Sequence, residues 1–521
     1  MSFTWESALK ELERRRQRSL ELGGPEAIDR QHRHGKLTIR ERIEAVTDRF
    51  YEVGGLATFS ERDPSGSGIR TLPSSYVCGL AEIDGRPVAV GGEDYTVKAG
   101  IPNIYLDRIK GGIGGFVEDL SHEFRIPLVL MVEGTGGDVS AIDDFGHAYL
   151  VSSYSWRRPF DLLKEVPVIT AVLGPAAGGA AGRAVLSHFS VMASKAVLFA
   201  GGPPVVRRAT GMDVDKYQLG GAEIHTRVSG AIDNVAENEE DAFRQIRTVL
   251  SYLPANVWEL PPRGDRSDST ERSCDAILKI IPENRRRAYN PRGVIESVLD
   301  VGSFFEIGGG WGRSLTTGLG RVDGIPIGVM ANNPMVLGGA MDGAAADKQV
   351  RFVDFCSTFH LPLLYFVDVP GFMVGPDAEA AGVVRRGMRA IQSMYDSDLP
   401  TLTIQVRKAY GMAVNATADP TRLSLRIAWP SGEWGDIPVE GGVEAGFRRE
   451  IEAADDPAAY RREVEERLLA ASDPWKSVEA FAVEDMVDPR DTRKIAAMFF
   501  NASLNFLKTR LGPQTRGVIR P

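Results

Sequence analysis

Two short glycine-rich turns carry the clearest chemical signal in this sequence. The first, Gly174-Pro175-Ala176-Ala177-Gly178-Gly179-Ala180-Ala181-Gly182, follows an apolar run and precedes a segment of small, helix-compatible residues. Only backbone and methyl groups are on offer there, so a site built this way must act through its amides. Free N–H groups at a helix start point outward and carry partial positive charge. Aimed at a carbonyl, they stabilise a developing enolate oxyanion, and losing one donor costs roughly 3–4 kcal/mol of transition-state stabilisation. For a single turn, close helix–strand packing explains the glycines equally well. A second turn, Gly411-Met412-Ala413, sits after an apolar run at the equivalent place in the second half. Two turns of one design suggest two oxyanion sites, one for each of two carbonyl-bearing reactants.

Other catalytic signatures are missing. There is no Walker A motif and no GxSxG elbow. The histidines form no HxxxH or HExxH pattern, and the one close pair, His32 and His34, reads as surface residues in a polar stretch. Glu133 and Asp368 occupy equivalent strand ends ahead of glycine turns. They fit functional carboxylates or structural caps of the next turn. No protein general base stands out.

The elements that must position these turns come in two copies. IEAVTD (Ile43–Asp48) pairs with IESVLD (Ile295–Asp300), and GLAEIDGRPVAV (Gly79–Val90) with GLGRVDGIPIGV (Gly318–Val329). IPLVLMVEGTGG (Ile126–Gly137) pairs with LPLLYFVDVPGF (Leu361–Phe372), and VPVITAVLGPAAGGA (Val166–Ala180) with LPTLTIQVRKAYGMA (Leu399–Ala413). The matches keep their order and nearly their spacing, which marks a duplicated domain rather than a short-period solenoid. The second block predicts a hairpin in each copy, turned by Asp84-Gly85 and Asp323-Gly324. Amphipathic segments over Tyr105–Phe124 and Gly343–Phe359 predict helices. The last two blocks predict buried parallel strands. Strand, glycine turn, helix, repeated, makes an α/β layered fold. Leu260–Thr270 reads as a linker, and the run Arg285-Arg286-Arg287 as a solvated face. The domains are expected at 1–260 and 286–521, with 261–285 between them. Helices are also expected at Pro457–Leu469 and Thr492–Leu511.

The totals fit this picture. A chain of 521 residues exceeds what one core serves, and two domains of roughly 200–250 residues are natural. A net charge of −9 argues against a nucleic-acid protein while leaving room for a local basic patch. The first residues lack a signal peptide's apolar core, and the longest apolar stretch, Val166–Val185, is broken by glycine, proline and Arg183, so no membrane span is expected. Cys78, Cys274 and Cys356 lie far apart, as free thiols of a cytoplasmic protein would. No metal site is expected.

Over most of its length the sequence resembles the carboxyltransferase (β) subunits of biotin-dependent acyl-CoA carboxylases, such as propionyl-CoA and methylcrotonyl-CoA carboxylase. The resemblance rests on QHRHGKLTIRERI (Gln31–Ile43), GPAAGGA, QLGGAEIHTRVSG (Gln218–Gly230), ANNPMVLGGAMD (Ala331–Asp342), KQVRFVDFCSTFHLPLLYFVDVPGF (Lys348–Phe372), RKAYGMA (Arg407–Ala413) and DPRDTR (Asp488–Arg493). It implies two tandem crotonase-like domains. It also implies that amides at Gly178 and Gly179 hold a CoA-thioester carbonyl, while those at Met412 and Ala413 hold the ureido carbonyl of carboxybiotin. Ala177, Gly136, Gly137, Tyr410 and Asn415 would line the substrate, and Gly371, Phe372, Ile437 and Pro438 the cofactor. In the family, biotin releases CO2 and then takes the α-proton, which accounts for the missing protein base. No AMKM biotin-attachment tetrapeptide occurs, so a biotin carboxylase and biotin carboxyl carrier (α) subunit is the implied partner, with a homo-hexamer as the usual assembly and an active site shared between subunits.

The sequence departs from the family in several places. EGTGGDVSAI (Glu133–Ile142) stands for the common DSGGARIQEG, VVRRGM (Val383–Met388) for IIRHGA, YGMAVN (Tyr410–Asn415) for YGGAYD, and WPSGEWGDIPVEGG (Trp429–Gly442) for WPTAEIAVMGAKG. Pro438 removes a backbone donor on the biotin side. These changes point away from an acetyl or propionyl substrate and toward a bulkier, branched or functionalised acyl group. Two alternatives stand beside carboxyl transfer: a biotin-independent acyl-CoA decarboxylase, and a non-catalytic scaffold subunit of a carboxylase complex.

Overall fold

The computed structural model describes residues 3–62, 68–101, 112–137, 139, 142, 146–148 and 156–514. The chain divides into two compact units, Met1–Glu259 with Gly512–Pro521, and Leu260–Leu511. Among the described residues each unit is built on one eight-stranded sheet.

In the first unit the strands are β1 (Arg49–Val53), β2 (Thr58–Arg62), β3 (Ile69–Pro73), β4 (Tyr76–Ile83), β5 (Arg86–Glu93), β6 (Leu128–Gly134), β7 (Val168–Ala177), β8 (Phe189–Ala193), β9 (Val197–Phe199) and β10 (Asn234–Ala236). The sheet order is β1-β4-β5-β6-β7-β8-β10, with β9 beside the end of β7, while β2 and β3 form a separate ribbon. The second unit repeats this with β11 (Phe305–Glu306), β12 (Leu315–Val322), β13 (Ile325–Asn332), β14 (Leu363–Val369), β15 (Thr401–Tyr410), β16 (Ser424–Ala428), β17 (Glu433–Gly435) and β18 (Asp485–Met486). Its order is β11-β12-β13-β14-β15-β16-β18, with β17 beside β15.

The copies agree in detail. The β4–β5 and β12–β13 hairpins are antiparallel, and the strands that follow are parallel. Both residues of each Asp-Gly turn have positive φ, 50° and 73° in one copy, 52° and 72° in the other. The glycine amides of the two turns bond to Asp48 and Asp300 at 3.2 and 2.8 Å. Arg40 pairs with Glu52, and its counterpart Arg292 with Glu306, each at 2.6 Å. β6 and β14 are buried along their whole length, as two-sided parallel strands must be.

The predicted helices form over Gly343–Thr358, Pro457–Ala471 and Thr492–Leu507. That expected over Tyr105–Phe124 runs Gly112–Phe124, its earlier part lying outside the described residues. The stretch from Leu260 is held onto the second unit: Gly264 donates to the Gly324 carbonyl at 2.7 Å, and Arg266 to Asp323 at 2.9 Å. Arg285 of the arginine run pairs with Glu433 at 3.0 Å.

Candidate active site

β7 ends at Ala177, and the helix Gly179–Val185 starts two residues later. Gly178 joins them with φ 59° and ψ −122°, a conformation closed to residues with a Cβ. Its carbonyl accepts the first helical bond, from Gly182 at 3.0 Å. The amides of Gly179, Ala180 and Ala181 come before the first bonded donor, Gly182, and have no helical partner. Gly178 and Gly179 are exposed, and no described residue lies within 4 Å of the point where a Cβ on Gly179 would stand. Gly136 flanks the turn: its Cα is 3.6 Å from the Cβ position of Gly178. The structure thus brings Gly136, Ala177, Gly178 and Gly179 together, with exposed Gly137 next in the chain.

A cleft of about 760 Å³ opens beside β7, floored by Leu173, Gly174 and Pro175. Arg30, Lys36, Lys98 and Lys195 line it. The sequence does not announce this basic wall, because its residues come from three separate segments. The only local hint was the Gln31–Ile43 motif, which supplies Gln31 and Lys36 to the lining. His32, by contrast, faces Glu41 at 3.0 Å, with both side chains well exposed.

Glu133 and Asp368 are fully buried, each at a register shift between parallel strands. Neither is positioned as a free acid or base. Glu133 takes an ion pair from Lys36, a second from Arg42 at 2.6 Å and a hydrogen bond from Gln31 at 2.8 Å. Arg42 continues to Glu239 at 2.6 Å. Asp368 is paired with Arg407 at 2.9 Å and accepts from the Lys408 amide at 3.2 Å. Burial, then the Asp368 charge, lifts the Tyr289 hydroxyl well above its ordinary range. The countercharges come from reciprocal places. Aligning the copies sets Gly174 opposite Arg407 and Arg42 opposite Val294. A Cβ on Gly174 would overlap the Glu133 carboxylate. One copy therefore leaves that strand position empty and brings its arginine from the N-terminal arm, whereas the other carries the arginine on the strand.

The second turn follows β15. Gly411 has φ 65°, and a six-residue 3-10 helix runs Gly411–Ala416. Met412 is 55% exposed, Asn415 is exposed and Ala413 is buried. The Asn415 amide nitrogen lies 3.4 Å from the Met412 carbonyl. Pairing of β17 with the end of β15 brings the Asp436 carbonyl within 3.3 Å of the Cβ position of Gly411, and sets Gly435 3.5 Å from the Tyr410 ring by the same measure. Ile437, exposed, and Pro438, the cap of the helix Val439–Gly446, follow directly. Tyr410, Met412, Asn415, Ile437 and Pro438 thus gather around this turn. Gly371 and Phe372 follow the neighbouring strand, where the Gly371 carbonyl accepts from Met341 at 3.0 Å. The Gln349 side chain, fully buried and unremarked in the sequence, holds the far end of the turn through the Ala416 carbonyl at 2.6 Å.

Comparison with known proteins agrees with this architecture. The carboxyl transferase domain model matches residues 30–519. The chain is 34% identical over 501 residues to the propionyl-CoA carboxylase carboxyltransferase subunit of Haloferax mediterranei, covering 94% of this chain and 95% of that one. It is 33% identical over 515 residues to the methylmalonyl-CoA carboxyltransferase 12S subunit of Propionibacterium freudenreichii subsp. shermanii, covering 95% and 94%. The transcarboxylase 12S crystal structure, described as a hexamer with methylmalonyl-CoA and methylmalonic acid bound, superposes with a TM-score of 0.85 at 31% identity, covering 97% of this chain and 96% of that one. The two sheets are accordingly two tandem crotonase-like domains. No helix among the described residues is long and apolar enough to cross a membrane. Matched along nearly its whole length by model, sequence and structure, the chain belongs to the carboxyl transferase family, that of the acyl-CoA carboxylase carboxyltransferase subunits.

Proposed function

We propose that the chain transfers a carboxyl group between carboxybiotin carried on a partner chain and an acyl-CoA, through an enolate whose oxygen is held by the first turn. The carrying observation is the open set of amides at Gly178–Gly179, beside a basic cleft. The cleft suits the phosphates of CoA, with Arg30, Lys98 and Lys195 as countercharges. From there the thioester carbonyl reaches the turn, where the amides stabilise negative charge as it develops and need no reorganisation to do so. Gly136 and Ala177 lie against that turn, with Gly137 next in the chain.

The second turn fits a ureido carbonyl on an apolar bicycle. It offers an early amide at Met412, with Ala413 next in the chain, beside the exposed side chains of Met412 and Ile437. Biotin, when bound there, would supply the CO2 and the base. Tyr410, Asn415, Gly371, Phe372 and Pro438 would border it. A biotin carboxylase and carrier subunit is the proposed partner, a homo-hexamer the proposed assembly and the cytoplasm the proposed location.

Pro438, without an amide to offer at the second turn, favours one further reading: decarboxylation without biotin. One assay separates them. The purified chain is mixed with carboxylated acyl-CoAs, with and without free biotin, and CO2 release is followed. Biotin-dependent release supports carboxyl transfer, and biotin-independent release supports the second reading. Gly179→Pro then tests the oxyanion site. Position 179 opens the helix, where proline is tolerated, whereas φ at Gly178 forbids it. A rate loss of about 100- to 1,000-fold is expected. A folded variant at full rate would overturn the assignment.

A further inference from the structure

Trp156 stands at the first turn with no role assigned to it so far. It precedes the helix Arg157–Leu162, and its indole packs on Gly182: a Cβ on Gly182 would lie 2.7 Å from Cη2 of that ring. Gly182 is one helical turn beyond Gly178, whose carbonyl it bonds. Side chains on a helix lean toward its N-terminus, so whatever fills the Cβ space of Gly182 lies over the preceding turn. The indole thus sits on the first turn of the helix that Gly178 and Gly179 open, while the Gly136 backbone flanks Gly178 from the loop after β6. Among the described residues nothing crowds the Gly179 side of the turn, and Trp156 keeps 37% of its surface exposed. Arg183, next in the helix, pairs with Glu93 at 3.3 Å and Glu118 at 3.7 Å.

We infer that Trp156 is the side wall of the acyl pocket and sets which acyl group the enzyme accepts. This rests on the reading of Gly178–Gly179 as the thioester site. With the carbonyl on those amides, the acyl carbons run along the indole, and they must be apolar, because the ring presents no charge and little hydrogen-bonding capacity. Gly182 is the complementary half of the device. A side chain there would displace the ring, so the two residues set the pocket's width jointly. One methylene more or less against a hydrophobic wall changes selectivity about 10- to 200-fold.

The test measures binding of acetyl-, propionyl-, butyryl- and phenylacetyl-CoA by calorimetry, and kcat/KM for those that react. Wild type, Trp156→Ala, Trp156→Phe and Gly182→Ala are compared in the full-length chain. Trp156→Ala is expected to shift the ratio of butyryl- to propionyl-CoA by tenfold or more, with affinity for free CoA unchanged. Trp156→Phe should restore most of the wild-type ratio, and Gly182→Ala should shift it without touching the indole's chemistry. Unchanged acyl ratios in Trp156→Ala, with acyl-CoAs still bound, would overturn the wall and leave the thioester site standing. A wild type that binds no acyl-CoA would overturn both.

Discussion

Arg42 and Glu133 meet at 2.6 Å with essentially no side-chain surface exposed, and the position that would crowd them, 174, is glycine. In the other copy the arginine is residue 407, at the place of Gly174, and Arg42 is replaced by Val294. A buried carboxylate at the strand register shift thus has two interchangeable routes to a countercharge.

That equivalence can be tested by transplanting one solution into the other copy. Arg42→Val should destabilise by about 3–5 kcal/mol, since it strips a buried ion pair of one partner. Gly174→Arg should also destabilise, because its side chain enters space filled by Glu133 and its bound cations. Combined, the two should cost less than their sum by about 1 kcal/mol or more. Denaturation of the intact chain reads this out, and strict additivity would refute the equivalence.

Acid should act on the second unit through Asp323. Burial alone would raise its pKa. Hydrogen bonds from Arg266 and Asn501, with the charge of Arg263, outweigh that and hold it below the usual aspartate range. A depressed pKa gives stability that is present above the ordinary value and lost as pH falls through the folded one. Thermal stability should therefore drop below about pH 4. Asp323→Asn keeps a residue tolerant of φ 52°, removes the charge and turns one accepting oxygen into a donor. It should cost about 1–3 kcal/mol near neutrality and flatten the acid limb. An unchanged acid limb would count against this account.

The cysteines should be silent in the native protein. Cys78, Cys274 and Cys356 are all buried and unpaired with one another. Burial pushes the Cys274 thiol up, and its Sγ lies 3.2 Å from the Ser297 carbonyl. An aromatic disulfide reagent at mild alkaline pH should label almost nothing until denaturant is added, and three thiols afterwards. Rapid labelling of Cys274 in the folded chain would contradict its burial.

What could be read from the sequence was local. The Asp-Gly turns, the apolar runs of β6 and β14 and the two glycine turns each announce themselves within a dozen residues, because backbone geometry and two-sided burial constrain neighbours. What escaped depends on contacts between distant segments. Gln31 and Glu133, 102 residues apart, meet only once the sheet exists. Trp156 and Gly182 look unrelated until a helix places the missing Cβ under the indole. The carboxylates at 133 and 368 fit chemistry or capping equally well on paper, and only their buried cationic partners separate those options.

The reciprocal arginines also constrain how such a gene can evolve. Recombination between the two halves anywhere between the first arm and the glycine turn would yield one copy with two competing cations and one with none from these positions. Either product carries a buried charge fault, so sequence exchange between the copies is selected against even while their folds stay alike. The halves can then diverge in substrate without being homogenised, and a family built on this chain would vary by exchanging whole units.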